Sequence, residues 1–159
     1  MRTINRRIVT AYIVSADGKL LLGRKDPRRS GVYSDCWHNP GGGVDEGESD
    51  EQALKREVRE EAGIDISDAA IEFVDNKGYG ESTRPLKSGE QVLAKMQFNI
   101  YKVVLDTPAA EVKLAPSDDL EKFQWFTVDE LLKVKLTPPA AELLNRIGTN
   151  WLNPEKGEA

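Results

Sequence analysis

Apolar and polar positions alternate in short runs along the chain, and glycines, prolines or polar turn residues separate most of the runs. Runs of this length and period predict the strands of a β-sheet. Asp17-Gly18 between two such runs predicts a hairpin turn, and residues 84–90 are expected to form a further loop. The predicted strands cover residues 8–15, 20–24, 37–39, 71–80, 92–105 and 123–126.

Three segments have the pattern of helices. Ser49 and Gln52 form the two ends of a capping box, and Gly63 is a typical stop residue, which together predict a helix over residues 50–62. A short helix is expected at about 128–134. Thr137-Pro138 starts the last one, whose apolar positions recur at helical spacing. Those positions are Leu143, Leu144, Ile147 and Trp151.

These elements predict an α+β fold, an α/β/α sandwich in which a mixed β-sheet is flanked by helices. The chain has 159 residues, a length typical of one domain, and we expect a single domain over 1–159. No apolar run approaches the roughly 20 residues that span a bilayer, and the N-terminus has no small-residue cleavage site, so we expect a cytoplasmic protein. Cys36 is the only cysteine, which excludes an intrachain disulfide.

The charge of the chain is concentrated in residues 42–64. This segment holds eight acidic and three basic residues and therefore accounts for the whole net charge of −5. A concentrated negative patch repels polynucleotides and anionic lipids, so neither a nucleic acid polymer nor a membrane is an expected partner. A phosphate compound would need metal ions to bridge it to such a surface.

The predicted helix places its carboxylates beside its buried side. Leu54, Val58 and Ala62 form a narrow apolar stripe. At about 100° per residue, Glu61 and Glu57 lie within about 60° of Leu54 and Glu60 about 120° away. Partly buried carboxylates four residues apart are unfavourable without a partner, and a hard cation such as Mg²⁺ or Mn²⁺ would remove that cost. A solvated acidic face is the ordinary explanation of such a run, but the glycine-rich turn before it and the position beside the apolar stripe favour a site.

The same segment resembles the complete signature of the Nudix hydrolases. Gly42 is followed after five residues by Glu48, and after seven more by the run from Arg56 to Ile64, REVREEAGI. The resemblance implies an α/β/α sandwich and Mg²⁺-dependent (or Mn²⁺-dependent) hydrolysis of a nucleoside diphosphate linked to another moiety. The expected partner is thus a small nucleoside diphosphate derivative, bound by a monomer or homodimer.

By this resemblance, Glu57 and Glu61 are metal ligands, and Glu60 is a further ligand or holds metal-bound water. A carbonyl of the turn at Gly42 completes the coordination. Arg56 orients the helix glutamates. The resemblance also implies structural roles in the motif for Gly43, Glu48 and Gly63.

The general base is open between two positions. Glu57 is one candidate, and Asp119, in the loop before Trp125, is the other. Substrate contacts are expected from four more residues outside the signature: Arg24, Arg28, His38 and Tyr79.

The substrate also stays open at this level. A nucleoside triphosphate pyrophosphatase of the 8-oxo-dGTP type is the first hypothesis, with nucleotide-sugar and dinucleoside polyphosphate hydrolases as alternatives. A Nudix module that senses a ligand without catalysis is an alternative of another class, but such modules usually lose glutamates of the signature. An isopentenyl diphosphate isomerase shares the fold but needs several metal-binding histidines, and His38 is the only histidine.

Overall fold

The computed structural model describes residues 1–24, 35–115 and 122–153. In chain order the strands are β1 (Arg2–Val14), β2 (Leu20–Arg24), β3 (Trp37–His38), β4 (Gly41–Gly43), β5 (Ala70–Pro85), β6 (Gln91–Val104) and β7 (Lys122–Phe126). The helices are α1 (Asp50–Ala62), α2 (Val128–Leu131) and α3 (Pro138–Ile147), with short 3-10 turns at Ala109–Glu111 and Asn150–Leu152. No helix among these residues is both long and apolar enough to cross a bilayer.

The strands form one mixed sheet in the order β3-β2-β1-β6-β5, while β4 pairs with β1 and β7 pairs with β2. β1 and β6 run parallel along their whole lengths, from Arg2 opposite Val92 to Val14 opposite Val104. The other pairs are antiparallel. This confirms the predicted mixed sheet flanked by helices.

Each face of the sheet has its own apolar core. On one face α1 packs with Leu54 and Val58 against a cluster that includes Val9 and Leu21. On the other face, Leu143 and Leu144 of α3 pack against a cluster that includes Tyr12. Alternate residues of β1 therefore enter different cores, because successive side chains of a strand point to opposite faces.

Two strands extend further than the apolar pattern predicted. β1 begins at Arg2 instead of residue 8, and β5 continues to Pro85, so that the predicted loop at 84–90 shrinks to residues 86–90. The extra residues of β1 are mostly polar and exposed, and they become a strand because they pair with β6. Cross-strand pairing is a long-range contact that local periodicity does not contain.

The glycine-rich segment also differs from its predicted structure. Gly41–Gly43 was expected to form a turn, but it is strand β4, paired with Ile8, Val9 and Thr10 of β1.

The last two helices are shorter than predicted. α2 ends at Leu131, and α3 ends at Ile147 because Gly148 caps it, which leaves Trp151 in a 3-10 turn.

Candidate metal and pyrophosphate site

Helix α1 begins where the sequence predicted. The Ser49 hydroxyl accepts a hydrogen bond from the backbone N–H of Gln52, and the Gln52 side chain accepts one from the N–H of Ser49. At the other end, Gly63 has a φ of 73°, and its N–H donates to the carbonyl of Arg59. A methyl group on Gly63 would lie 2.5 Å from Cβ of Ala115. Gly63 is therefore required both for its left-handed backbone and for this close approach.

Asp50 fixes the first turn of α1 to the sheet. Its carboxylate accepts hydrogen bonds from Asn99 and Tyr101 at 2.7 Å each and forms an ion pair with Arg7 at 2.5 Å. Burial first, and then the neighbouring carboxylate, raises the pKa of Tyr101 to about 12. No local pattern of the sequence marks Asp50 as an anchor, because its partners lie more than 40 residues away along the chain.

The helix presents its carboxylates in the order that the wheel predicted. Leu54, Val58 and Ala62 are fully buried. The Glu57 side chain is 16% exposed, whereas that of Glu60 is 59% exposed. Glu57 therefore lies at the edge of the buried stripe, and Glu60 faces the solvent.

The glycine strand β4 lies directly against two of these carboxylates. A methyl group on Gly42 would lie only 2.5 Å from Cδ of Glu57. The N–H of Gly41 donates a hydrogen bond of 3.2 Å to Oε1 of Glu61. Because glycine has no side chain, the β4 backbone can approach Glu57 at a distance that any other residue would prevent.

Arg56 holds the acidic residues of this region together. Its guanidinium donates to both oxygens of Glu48, at 2.7 and 2.9 Å, to Glu57 at 2.9 Å and to the carbonyl of Gly43 at 3.0 Å. It also lies 3.5 Å from Glu60. The hydrogen bonds from Arg56, with one from the N–H of Asp45, lower the pKa of Glu48 to about 2. The loop before α1, the β4 backbone and Glu57 are thus joined through one side chain.

This donor set fits a hard cation only in part. Over 1–24, 35–115 and 122–153, no group of three or more His, Cys, Asp or Glu side chains is arranged to hold a metal ion. Two carboxylates, Glu57 and Glu61, do reach the backbone of β4. Mg²⁺ in proteins is usually bound by one or two carboxylates, water and substrate phosphates, with no complete protein cage. The arrangement therefore fits a cation that shares its coordination with a phosphorylated substrate.

The three expected substrate contacts that the structure describes lie on three different strands. Arg24 lies on β2, with its guanidinium carbon 6.0 Å from the centre of the Trp37 ring, and its buried Nε has no hydrogen-bond partner among residues 1–24, 35–115 and 122–153. His38 lies on β3, opposite Gly23. Tyr79 is 60% exposed and donates a hydrogen bond to Glu81. Arg28 and Asp119 lie outside the described residues.

A cleft of about 870 Å³ adjoins the signature. Tyr79 contributes to one wall and residues 44–48, before α1, to another. Its remaining lining comes from β1, β5 and β6 and includes Arg6, which sequence analysis did not select. Arg6 lies in the polar start of β1, and only the pairing of that segment with β6 brings it to this place.

Sequence comparison relates the chain to a known protein family. The model of the NUDIX domain matches residues 4–147. The nucleoside triphosphatase NudI of Escherichia fergusonii is 27% identical over 151 residues, which cover 91% of this chain and 99% of that protein. An RNA pyrophosphohydrolase of Hydrogenovibrio crunogenus is 41% identical over 63 residues, but this match covers 40% of the chain and only 34% of that relative.

Solved structures show the same fold. MutT, from a study of the Aliivibrio salmonicida and Vibrio cholerae proteins, has a TM-score of 0.62 at 19% identity, over 92% of this chain and 98% of that one. The NUDIX domain of Shewanella oneidensis NrtR, solved with ADP ribose, has a TM-score of 0.63 at 17% identity, over 91% and 86% of the two chains. Since the family model covers most of the sequence and the fold agrees, the chain belongs to the NUDIX family and is a Nudix-type hydrolase of pyrophosphate bonds.

Proposed function

We propose that the protein hydrolyses a pyrophosphate bond of a nucleoside triphosphate with Mg²⁺ or Mn²⁺ as cofactor. The observation that carries this proposal is the pair of carboxylates, Glu57 and Glu61, held against the side-chain-free backbone of β4. The near full-length match with NudI, which is named a nucleoside triphosphatase, supports the triphosphate as substrate.

In this proposal Glu57, Glu61 and a carbonyl near Gly42 hold the cation, with Glu60 as a further ligand or as a holder of coordinated water. A cation held there would neutralise the charge of the pyrophosphate and activate water for attack on phosphorus.

The protein side chains have separate tasks. Arg56 fixes the orientation of Glu57 through a charge-assisted hydrogen bond of 2.9 Å, and Glu48 in turn fixes Arg56. A carboxylate must accept the proton of the attacking water. Glu57 and Asp119 remain the two candidates for this role, and an Asp119→Asn variant measured beside Glu57→Gln will distinguish them.

The first test is hydrolysis of a substrate panel with Mg²⁺ and with Mn²⁺. The panel contains the common nucleoside triphosphates, 8-oxo-dGTP, a nucleotide sugar, a dinucleoside polyphosphate and ADP-ribose. We expect release of pyrophosphate, or of phosphate, from at least one triphosphate. If the protein binds one compound of the panel tightly but cleaves none of them, it is instead a ligand-sensing module.

The second test separates the site carboxylates from other acids of the same helix. Glu57→Gln and Glu61→Gln should each lower kcat at least about a hundredfold, because each removes a ligand charge beside the substrate. Glu51→Gln is the matched control, since Glu51 is a glutamate of α1 that is 61% exposed and pairs only with Lys55 among the ion pairs of the described residues. Near-normal turnover in Glu57→Gln would refute the assignment.

A further inference from the structure

Arg6 occupies a defined place on the face of the sheet opposite α1. In the strand register, Arg6 of β1 lies beside Met96 of β6, which lies beside Gly80 of β5. A methyl group on Gly43 would overlap the guanidinium of Arg6 and would lie 3.0 Å from its Cζ. The guanidinium therefore lies across the backbone of β4, whose neighbouring residue Gly42 meets Glu57.

The guanidinium of Arg6 is half-buried. Within the described part of the chain, Arg6 makes no hydrogen bond and no ion pair, although it has five N–H donors. Partial burial and the repulsion of Arg84 lower its pKa, and the opposing attraction of Asp45 and Glu57 is weaker. A partly buried guanidinium that also feels the positive charge of Arg84 is stabilised when an anion lies beside it.

The cleft beside Arg6 is open to such an anion. Its lining includes four basic residues, Arg6, Arg7, Lys77 and Lys95, and three acidic residues of the signature loop, Asp45, Glu46 and Glu48. A phosphate group would therefore contact the basic side of the cleft directly and would need a cation towards the acidic side. A ligand bound here would contact Arg6 on one side and the segment that leads into α1 on the other. Arg56, in contrast, is already fully engaged by Glu48, Glu57 and Gly43.

We infer that Arg6 binds the phosphate chain of the substrate next to the glutamate site. This inference rests on the proposed function, because it takes the ligand to be a phosphate compound. A planar guanidinium that donates two parallel hydrogen bonds is well suited to a phosphate group. Arg6 is thereby a substrate-binding residue on one face of β4, whose other face meets Glu57.

The test measures binding without turnover. Titration calorimetry with Mg²⁺ uses inorganic pyrophosphate and the methylene analogue of GTP, α,β or β,γ, in which carbon replaces the bridging oxygen of the bond that the wild type cleaves. Arg6→Gln should weaken the binding of both probes by about ten- to a hundredfold, since it removes charge-assisted hydrogen bonds. Arg6→Lys should fall between the wild type and Arg6→Gln, because it keeps the charge and loses the two parallel donors.

Arg2→Gln is the matched control. Arg2 lies on the same strand as Arg6, and its replacement removes the same charge. The ion-pair partner of Arg2 is the exposed Glu90, 3.0 Å away. The affinity of Arg2→Gln for both probes should stay within twofold of that of the wild type. In steady-state hydrolysis, Arg6→Gln should raise KM more than it lowers kcat.

The outcomes separate this inference from the proposed function. A wild type that binds the analogue but cleaves no triphosphate would overturn the proposed function, while the comparison of variants would still decide the role of Arg6. The inference would be overturned if a folded Arg6→Gln variant bound both probes with an affinity within twofold of the wild type. It would also be overturned if Arg2→Gln lost as much affinity as Arg6→Gln, or if the wild type bound neither probe. If Arg6→Gln does not fold, the same twofold limit applies to Arg6→Lys.

Discussion

The contact between Gly42 and Glu57 gives the sharpest prediction about the site. Replacement of Gly42 by alanine adds one methyl group 2.5 Å from Cδ and Oε1 of Glu57 and 2.7 Å from Oε2. Non-bonded carbon atoms are comfortable at about 3.5 Å or more. The carboxylate must therefore move by about 1 Å, or β4 must shift by the same amount away from α1.

A shift of this size matters more for catalysis than for stability. A displacement of about 1 Å in a catalytic group can lower the rate about a hundredfold, equivalent to about 3 kcal/mol in the activation barrier. One extra methyl group in a tight contact typically costs about 1–3 kcal/mol in the free energy of unfolding. Gly42→Ala should therefore remain folded but lose about two orders of magnitude in kcat.

The assay combines urea unfolding with steady-state hydrolysis of the best triphosphate from the panel. Gly89→Ala is a suitable control. Gly89 has a φ of 89° and open space around its Cβ position, so alanine should cost about 1–2 kcal/mol in stability through backbone strain alone. Its kcat should be unchanged. A folded Gly42→Ala with kcat within about threefold of the wild type would show that the Glu57 position is not constrained by β4 as described.

Three further variants test the supports of the site. Arg56→Gln should lower the free energy of unfolding by about 2–3 kcal/mol at pH 7. The difference from the wild type should shrink as the pH falls from about 4.5 to about 2, because Glu48, whose folded pKa is about 2, then becomes protonated in both proteins. Urea unfolding across that pH range measures the difference, and a constant value would contradict the prediction. Leu54→Ala should cost about 2–5 kcal/mol because the side chain is fully buried under α1, and thermal unfolding will show it. Gly63→Ala should cost at least about 1 kcal/mol from the left-handed backbone and the clash with Ala115; unchanged stability would show that this end of α1 tolerates a side chain.

Local features of the sequence were sufficient to predict helix α1 and the arrangement of its side chains around the buried stripe. The capping box, the stop at Gly63 and the apolar stripe act within a few residues of each other, so their spacing is readable directly. The order of exposure from Glu57 to Glu60 follows from the same geometry. The fold class was also predictable, because alternation and turn residues mark most strands.

Contacts between distant segments decided the rest. Gly41–Gly43 is a strand and the first residues of the chain extend β1, because both pair with partners that no local pattern identifies. The same pairing brings Arg6 across Gly43. Burial and hydrogen bonds from Asn99 and Tyr101 turn Asp50 from a helix-end acid into an anchor. Sequence alone therefore determined the helix that carries the family signature, whereas tertiary structure decided what surrounds that helix, since strand pairing and packing depend on long-range contacts.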